Sequence, residues 1–155
     1  MSEQSVLPVE KVQRGSLLAL AVIPLGVAAW LVLWNFGFIA SIVALGIAWG
    51  AYALYKIGSG GAISRTGASV ILAIVIVTLL LCFVAGMVLD AATEIGNASG
   101  MSTWDTFTHP EFWSTFWSAF PDVLSDYLPD FAIATAFGAL GAFRTLRSAF
   151  LEGAA

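Results

Sequence analysis

Apolar residues fall along this chain in long unbroken blocks, not in alternation. The first block occupies about 17–35 and carries no charge from Leu17 to Trp34. At about 1.5 Å per residue, a helix of that length nearly crosses a hydrocarbon layer of roughly 30 Å. Asn35-Phe36-Gly37 then predicts a tight turn, and a second apolar block fills about 38–56. The two blocks predict a helical hairpin whose tip carries Trp34, Phe36 and Phe38 as an interfacial aromatic belt. Lys56 closes the second helix, and Gly58-Ser59-Gly60-Gly61 follows with glycine where a helix C-cap favours it. Ser64 or Thr66 is placed to cap the next helix. A third block, about 69–90, is dense in Ile, Val and Leu and is expected to stop at Asp90. A fourth, about 130–147, opens at Pro129-Asp130 and closes on Arg144 and Arg147.

The stretch 91–129 reads as a long outer loop. Within it, Thr108 is placed as an N-cap, Pro110 as a first-turn residue and Glu111 as a first-turn acid. Phe112, Trp113, Phe116, Trp117 and Phe120 recur at helical spacing as one wide aromatic stripe. That predicts a short amphipathic helix lying in the membrane interface, or packed over the ends of the bundle, and ended by Pro121. The expected fold class is all-α integral membrane: four transmembrane helices in a bundle, with this short helix between spans three and four. Polar tails flank the transmembrane domain at 1–16 and 151–155. A signal peptide is a poorer account of the first block, which exceeds the roughly 7–15 apolar residues of such a signal.

Composition agrees. Of 155 residues, 59% are apolar and 10% charged, too few charges for a water-soluble surface. Cys82 is the single cysteine, which excludes an internal disulfide. Six Lys/Arg residues in the whole chain argue against a nucleic-acid partner. With the N-terminus in the cytoplasm, Lys11, Arg14, Lys56, Arg65, Arg144 and Arg147 all fall inside, as the positive-inside rule requires. Asp90, Glu94, Asp105, Glu111, Asp122, Asp126 and Asp130 all fall outside. The expected location is a bacterial cytoplasmic (inner) membrane, crossed several times, with both termini cytoplasmic. The expected partners are the lipid bilayer and a second copy or another membrane protein.

Small residues let helices approach closely in lipid. The second block carries them on every face, including the GxxxG pair Gly46 and Gly50, and is expected to sit centrally. Ala134, Gly138 and Ala142 form a packing stripe on the fourth. The third has few small residues and is expected to face lipid. The Gly46–Gly50 pair fits packing within one bundle, or a seam between protomers. Pro24 frees the carbonyl of Leu20 and predicts a bend in the first helix.

Few residues offer chemistry. Asp105, His109 and Glu111 could approach a divalent ion, but they lack an HExxH or CxxC frame and are read as capping groups. Gly58 to Gly67, with Arg65, leads into a helix N-terminus; it is read as a plain cytoplasmic hairpin turn, with contact to a lipid phosphate as the alternative. Arg144 is expected to snorkel to the cytoplasmic interface beside Arg147. No Asp, Glu, Lys or His falls near the middle of a block, which argues against a coupled transporter. No cofactor is expected.

Four stretches resemble a family of uncharacterised small bacterial membrane proteins with four spans. They are Phe36-Gly37-Phe38-Ile39, Ile47 through Gly61, Ile63-Ser64-Arg65-Thr66-Gly67, and Leu140-Gly141-Ala142-Phe143-Arg144. The resemblance implies the topology and no activity. The expected function is a non-enzymatic helical module, with a homo-oligomer as one form it can take. The alternative is a passive cation pore or small transporter whose acidic outer vestibule includes Asp90 and Asp130.

Overall fold

The computed structural model describes residues 9–35 and 41–152. The expected turn at residues 36–40, and the side chains of Ala142 and Arg144, lie outside the described residues. Among the described residues six helices follow in order: α1 (Val12–Ala19), α2 (Val22–Asn35), α3 (Ser41–Ser59), α4 (Arg65–Ser99), α5 (Thr103–Thr108) and α6 (Pro110–Glu152). Among the described residues there is no strand. Three segments are long and apolar enough to cross a membrane: Val12–Trp34, Ile42–Ser59 and Arg65–Ser99.

The first of these is two helices joined at Leu20-Ala21. Pro24 has no N–H to give the Leu20 carbonyl. That carbonyl instead accepts from the Ile23 N–H at 3.0 Å, and the Ala21 N–H turns to Leu18 O at 3.1 Å. Two tight three-residue bonds thus replace the α-helical ones, and the break falls where the proline predicts it.

Small residues on α3 do pack, with Ala44, Ala48 and Ala51 all buried. The expectation that the third span faces lipid fails. Helix α4 touches all five others. Half of its most apolar window is buried, against 39% for α3 and 22% for Val12–Trp34. Large side chains on α4 fill the space that small residues elsewhere leave. A Cβ at Gly138 on α6 would lie 2.9 Å from Leu79 Cδ1 and 3.6 Å from Ala44 Cβ.

Asp90 does not stop the third helix. Aspartate inside a helix costs only about 0.7 kcal/mol relative to alanine, and side-chain donors engage this carboxylate. The helix runs on to Ser99, and Gly100 takes the left-handed backbone (φ 73°) that ends it.

The expected short helix and the fourth span are one continuous helix, α6, with Pro121 and Pro129 inside it. The carbonyls these prolines leave without an N–H belong to Trp117 and Ser125, both exposed residues. An exposed carbonyl tolerates that loss where a buried one would not. Nor is Thr108 its cap. Thr108 Oγ1 donates back to Trp104 O at 3.0 Å, and His109 Nδ1 accepts from the Glu111 N–H at 3.4 Å.

The aromatic stripe of α6 divides. Phe112 and Phe116 are buried with Phe83, Met87, Val88 and Ala92 of α4, and Phe120 packs at their edge. Trp113 and Trp117 stay exposed. The far ends of α4 and α6 are therefore an antiparallel pair with a core of its own, closed over by α5.

Candidate functional site

Two polar clusters tie the bundle, one at each end. At the end nearer the α4–α6 pair, Trp34 Nε1 donates to Asp90 Oδ1 at 2.9 Å, and the Tyr127 hydroxyl donates to Oδ2 at 3.1 Å. One carboxylate on α4 thereby pins α2 to α6. The Trp34 ring stacks on Tyr127 and on Trp30, with centroids 6.3 and 5.9 Å apart. Phe83 meets Tyr127 edge-on and lies 4.6 Å from Phe131. Gly86 lets both tryptophans lie against α4: a Cβ there would stand 3.3 Å from the Trp34 ring and from Trp30 Nε1. Trp30 Nε1 is buried and has no partner among the described residues.

Both oxygens of the Asp90 carboxylate thus already act as structural acceptors. Asp130, expected beside Asp90 at a vestibule, is exposed and takes no hydrogen bond among the described residues. The two acids are not equivalent. The partners of Asp90 were missed in the sequence because Trp34 and Tyr127 lie 56 and 37 positions away.

At the opposite end the polar segment before α1 folds back onto the α3–α4 turn. The Tyr55 hydroxyl donates to Glu10 Oε1 at 2.8 Å, and the Lys11 N–H donates to Ser59 O at 3.0 Å. Ser64 caps α4, accepting from the Gly67 N–H at 3.2 Å, and also hydrogen-bonds to Glu10 through its backbone and side chain. Burial pushes the Glu10 carboxyl up, but the bonds from Ser64 and Tyr55 outweigh it and hold the group below the ordinary carboxylate range. The carboxylate also sits where the α4 dipole favours a negative charge. A Cβ at Gly67 would collide with Glu10 and the Tyr55 hydroxyl, so the absence of a side chain makes this seat.

This places an anion from the chain itself at the helix N-terminus that was the candidate contact for a lipid phosphate. Arg65 is exposed beside it. Glu10 was overlooked because it stands in a short polar tail with no apolar pattern to position it.

Asp105 is taken up in capping: Ser102 Oγ donates to Asp105 Oδ2 at 2.6 Å and accepts from the Asp105 N–H at 3.1 Å. Among the described residues, no three His, Cys, Asp or Glu side chains gather as a metal site. Of the GxxxG pair, Gly50 approaches Val22 Cγ2, where a Cβ would lie at 3.0 Å. Gly46 is exposed with nothing within 4 Å of a Cβ. Thr78 Oγ1 donates to Ile74 O at 2.7 Å, and Cys82 is buried.

Two clefts open between α4 and α6 beyond the Asp90 clasp. One of about 120 Å³ lies between Met87 and Glu94 of α4 and Phe116, Phe120 and Tyr127 of α6. The other, of about 240 Å³, continues past Ile95 and Thr115 to His109 and Glu111. No family model, curated protein or solved structure matches this chain.

Proposed function

We propose that this chain is a four-span, non-enzymatic module of a bacterial cytoplasmic membrane that holds out a helical hairpin to engage a partner on the outer side. One observation carries the reading. Helices α4 and α6 have 35 and 43 residues. At about 1.5 Å per residue they reach roughly 52 and 65 Å, far beyond a hydrocarbon layer of about 30 Å.

Aligning Asp90, Trp34 and Tyr127 with the outer boundary leaves about 25 residues of each of α4 and α6 on the membrane side, enough for a span. The fourth span is then the second half of α6. The excess of both helices, with α5 between them in sequence, stands outside as a stalk bearing exposed Trp104, Trp113 and Trp117. All six Lys/Arg residues fall on the other side, which supports cytoplasmic termini. The resemblance to four-span bacterial membrane proteins points the same way. In place of a short helix in the interface, this reading has the Phe face of α6 spent on α4 and the Trp face free.

The pore reading ranks second. Seven outer acids favour cation entry. Among the described residues, though, no charged side chain is buried, so a pore would need a seam between protomers.

The deciding experiment places a photo-crosslinking residue at Trp104 or Trp117 in intact cells, with Ile133, exposed on the spanning half of α6, as control. The expected result is a discrete protein adduct from the two stalk sites and lipid adducts alone from Ile133. Lipid adducts at all three sites, with a monodisperse monomer in mild detergent, would overturn the module reading.

A further inference from the structure

The α4–α6 cleft nearest the clasp combines three features that belong together chemically. Its walls are soft and aromatic: Met87, Ala91, Phe116, Phe120 and Tyr127. Its rim carries one exposed carboxylate, Glu94. Its surroundings are uniformly negative. Asp90, Glu94 and Asp126 all lie close enough to Tyr127 to act on it electrostatically. No Lys or Arg occurs between Thr66 and Phe143 to offset them.

Aromatic faces attract cations through their quadrupoles, and the attraction grows when water is excluded. An apolar wall contributes in proportion to the area that a ligand covers. A cleft of about 120 Å³ suits a small ligand, not a peptide helix. A plain inorganic cation would leave the apolar wall unused, and a neutral hydrocarbon would leave Glu94 unpaired.

We propose that this cleft binds a small lipophilic ammonium ion from the outer aqueous side, its apolar part on Phe116, Phe120 and Tyr127 and its charge facing Glu94. The assignment of the cleft to the outer side rests on the stalk reading above. Binding itself does not, so the two can fail separately.

The probe is benzyltrimethylammonium, titrated by calorimetry into the full chain in a neutral maltoside detergent. Saturable one-site binding is expected. Glu94→Gln should weaken it about tenfold, the scale of one partly desolvated charge contact. Phe120→Leu, which keeps the wall apolar but removes a ring, should weaken it about threefold or more. Both variants should retain the helical circular-dichroism signal. Raising salt should weaken wild-type binding and leave the residual Glu94→Gln binding less affected.

No heat of binding in the wild type, or equal affinity in wild type and Glu94→Gln, overturns the proposal. A third outcome does so by naming another occupant: no probe binding, together with a wild-type dimer that Phe120→Asp converts to a folded monomer. The cleft would then be covered by a second copy. A bound probe alongside stalk sites that crosslink only to lipid would retain the cleft and discard the partner.

Discussion

Trp34 and Asp90 stand 56 positions apart, and the indole N–H of one meets the carboxylate of the other at 2.9 Å. With Tyr127 on the second oxygen, the carboxylate is the common acceptor of two helices. Asp90→Asn keeps a single acceptor oxygen and turns an N–H₂ toward the other donor. Losing a partner of a partly buried group costs about 1–3 kcal/mol. Thermal unfolding in detergent should show Asp90→Asn destabilised by that order and Asp130→Asn unchanged. Equal effects at the two positions would contradict the clasp.

Glu10 makes stability depend on pH. Its carboxyl is held below the ordinary range in the folded chain, so the folded state favours the ionised form. That contribution is fully present above the usual carboxylate pKa and is lost as pH falls through the lower, folded value. Protection factors for hydrogen exchange over residues 9–15, corrected for the intrinsic pH dependence of exchange, should therefore be high at neutral pH and fall once pH drops below the ordinary carboxylate range. Glu10→Gln should show fast exchange at both, and a variant that keeps wild-type protection would remove Glu10 from the anchor.

Much of this was open to a reading of the sequence alone. The break at Leu20-Ala21 follows from Pro24, a cap at Ser64 or Thr66 from the residue types there, and three spans from unbroken apolar blocks. What stayed hidden has one cause: local signals do not report distant partners. Asp90 reads as a stop until Trp34 and Tyr127 supply its donors. Pro121 and Pro129 read as boundaries until the helix is seen to pass through them. A count of small residues pointed to close packing on α3, where Ala44, Ala48 and Ala51 are buried, but missed that α4 supplies large side chains that fit against small residues elsewhere.

Pro129 tests whether continuity of α6 is merely tolerated or required. Pro129→Ala restores an N–H toward the Ser125 carbonyl and relieves the ring's clash with it. A proline in a helix interior costs about 3 kcal/mol in an unadapted helix, and here part of that cost has been relieved. A gain on the order of 1 kcal/mol is expected in thermal unfolding. A loss would mean that local bending at Pro129 sets the approach of Tyr127 to Asp90, and the Tyr127→Phe, Pro129→Ala double variant would then lose no more than either single variant.

Gly46 and Gly138 look alike in sequence and should behave oppositely. A side chain at Gly138 would press into Leu79 and Ala44 at the meeting of three helices. The first obstacle is the tip of the flexible Leu79 side chain, so Gly138→Ala should be nearly neutral. Gly138→Leu must part α6 from α3 and should lose about 1–3 kcal/mol. Gly46 faces open space, so Gly46→Leu should leave the unfolding temperature of the monomer unchanged. If the protein self-associates through the GxxxG face, Gly46→Leu instead shifts the particle to smaller size in light scattering while the fold persists. Destabilisation by Gly46→Leu in a strictly monomeric sample would show that α3 is packed on the face described here as free.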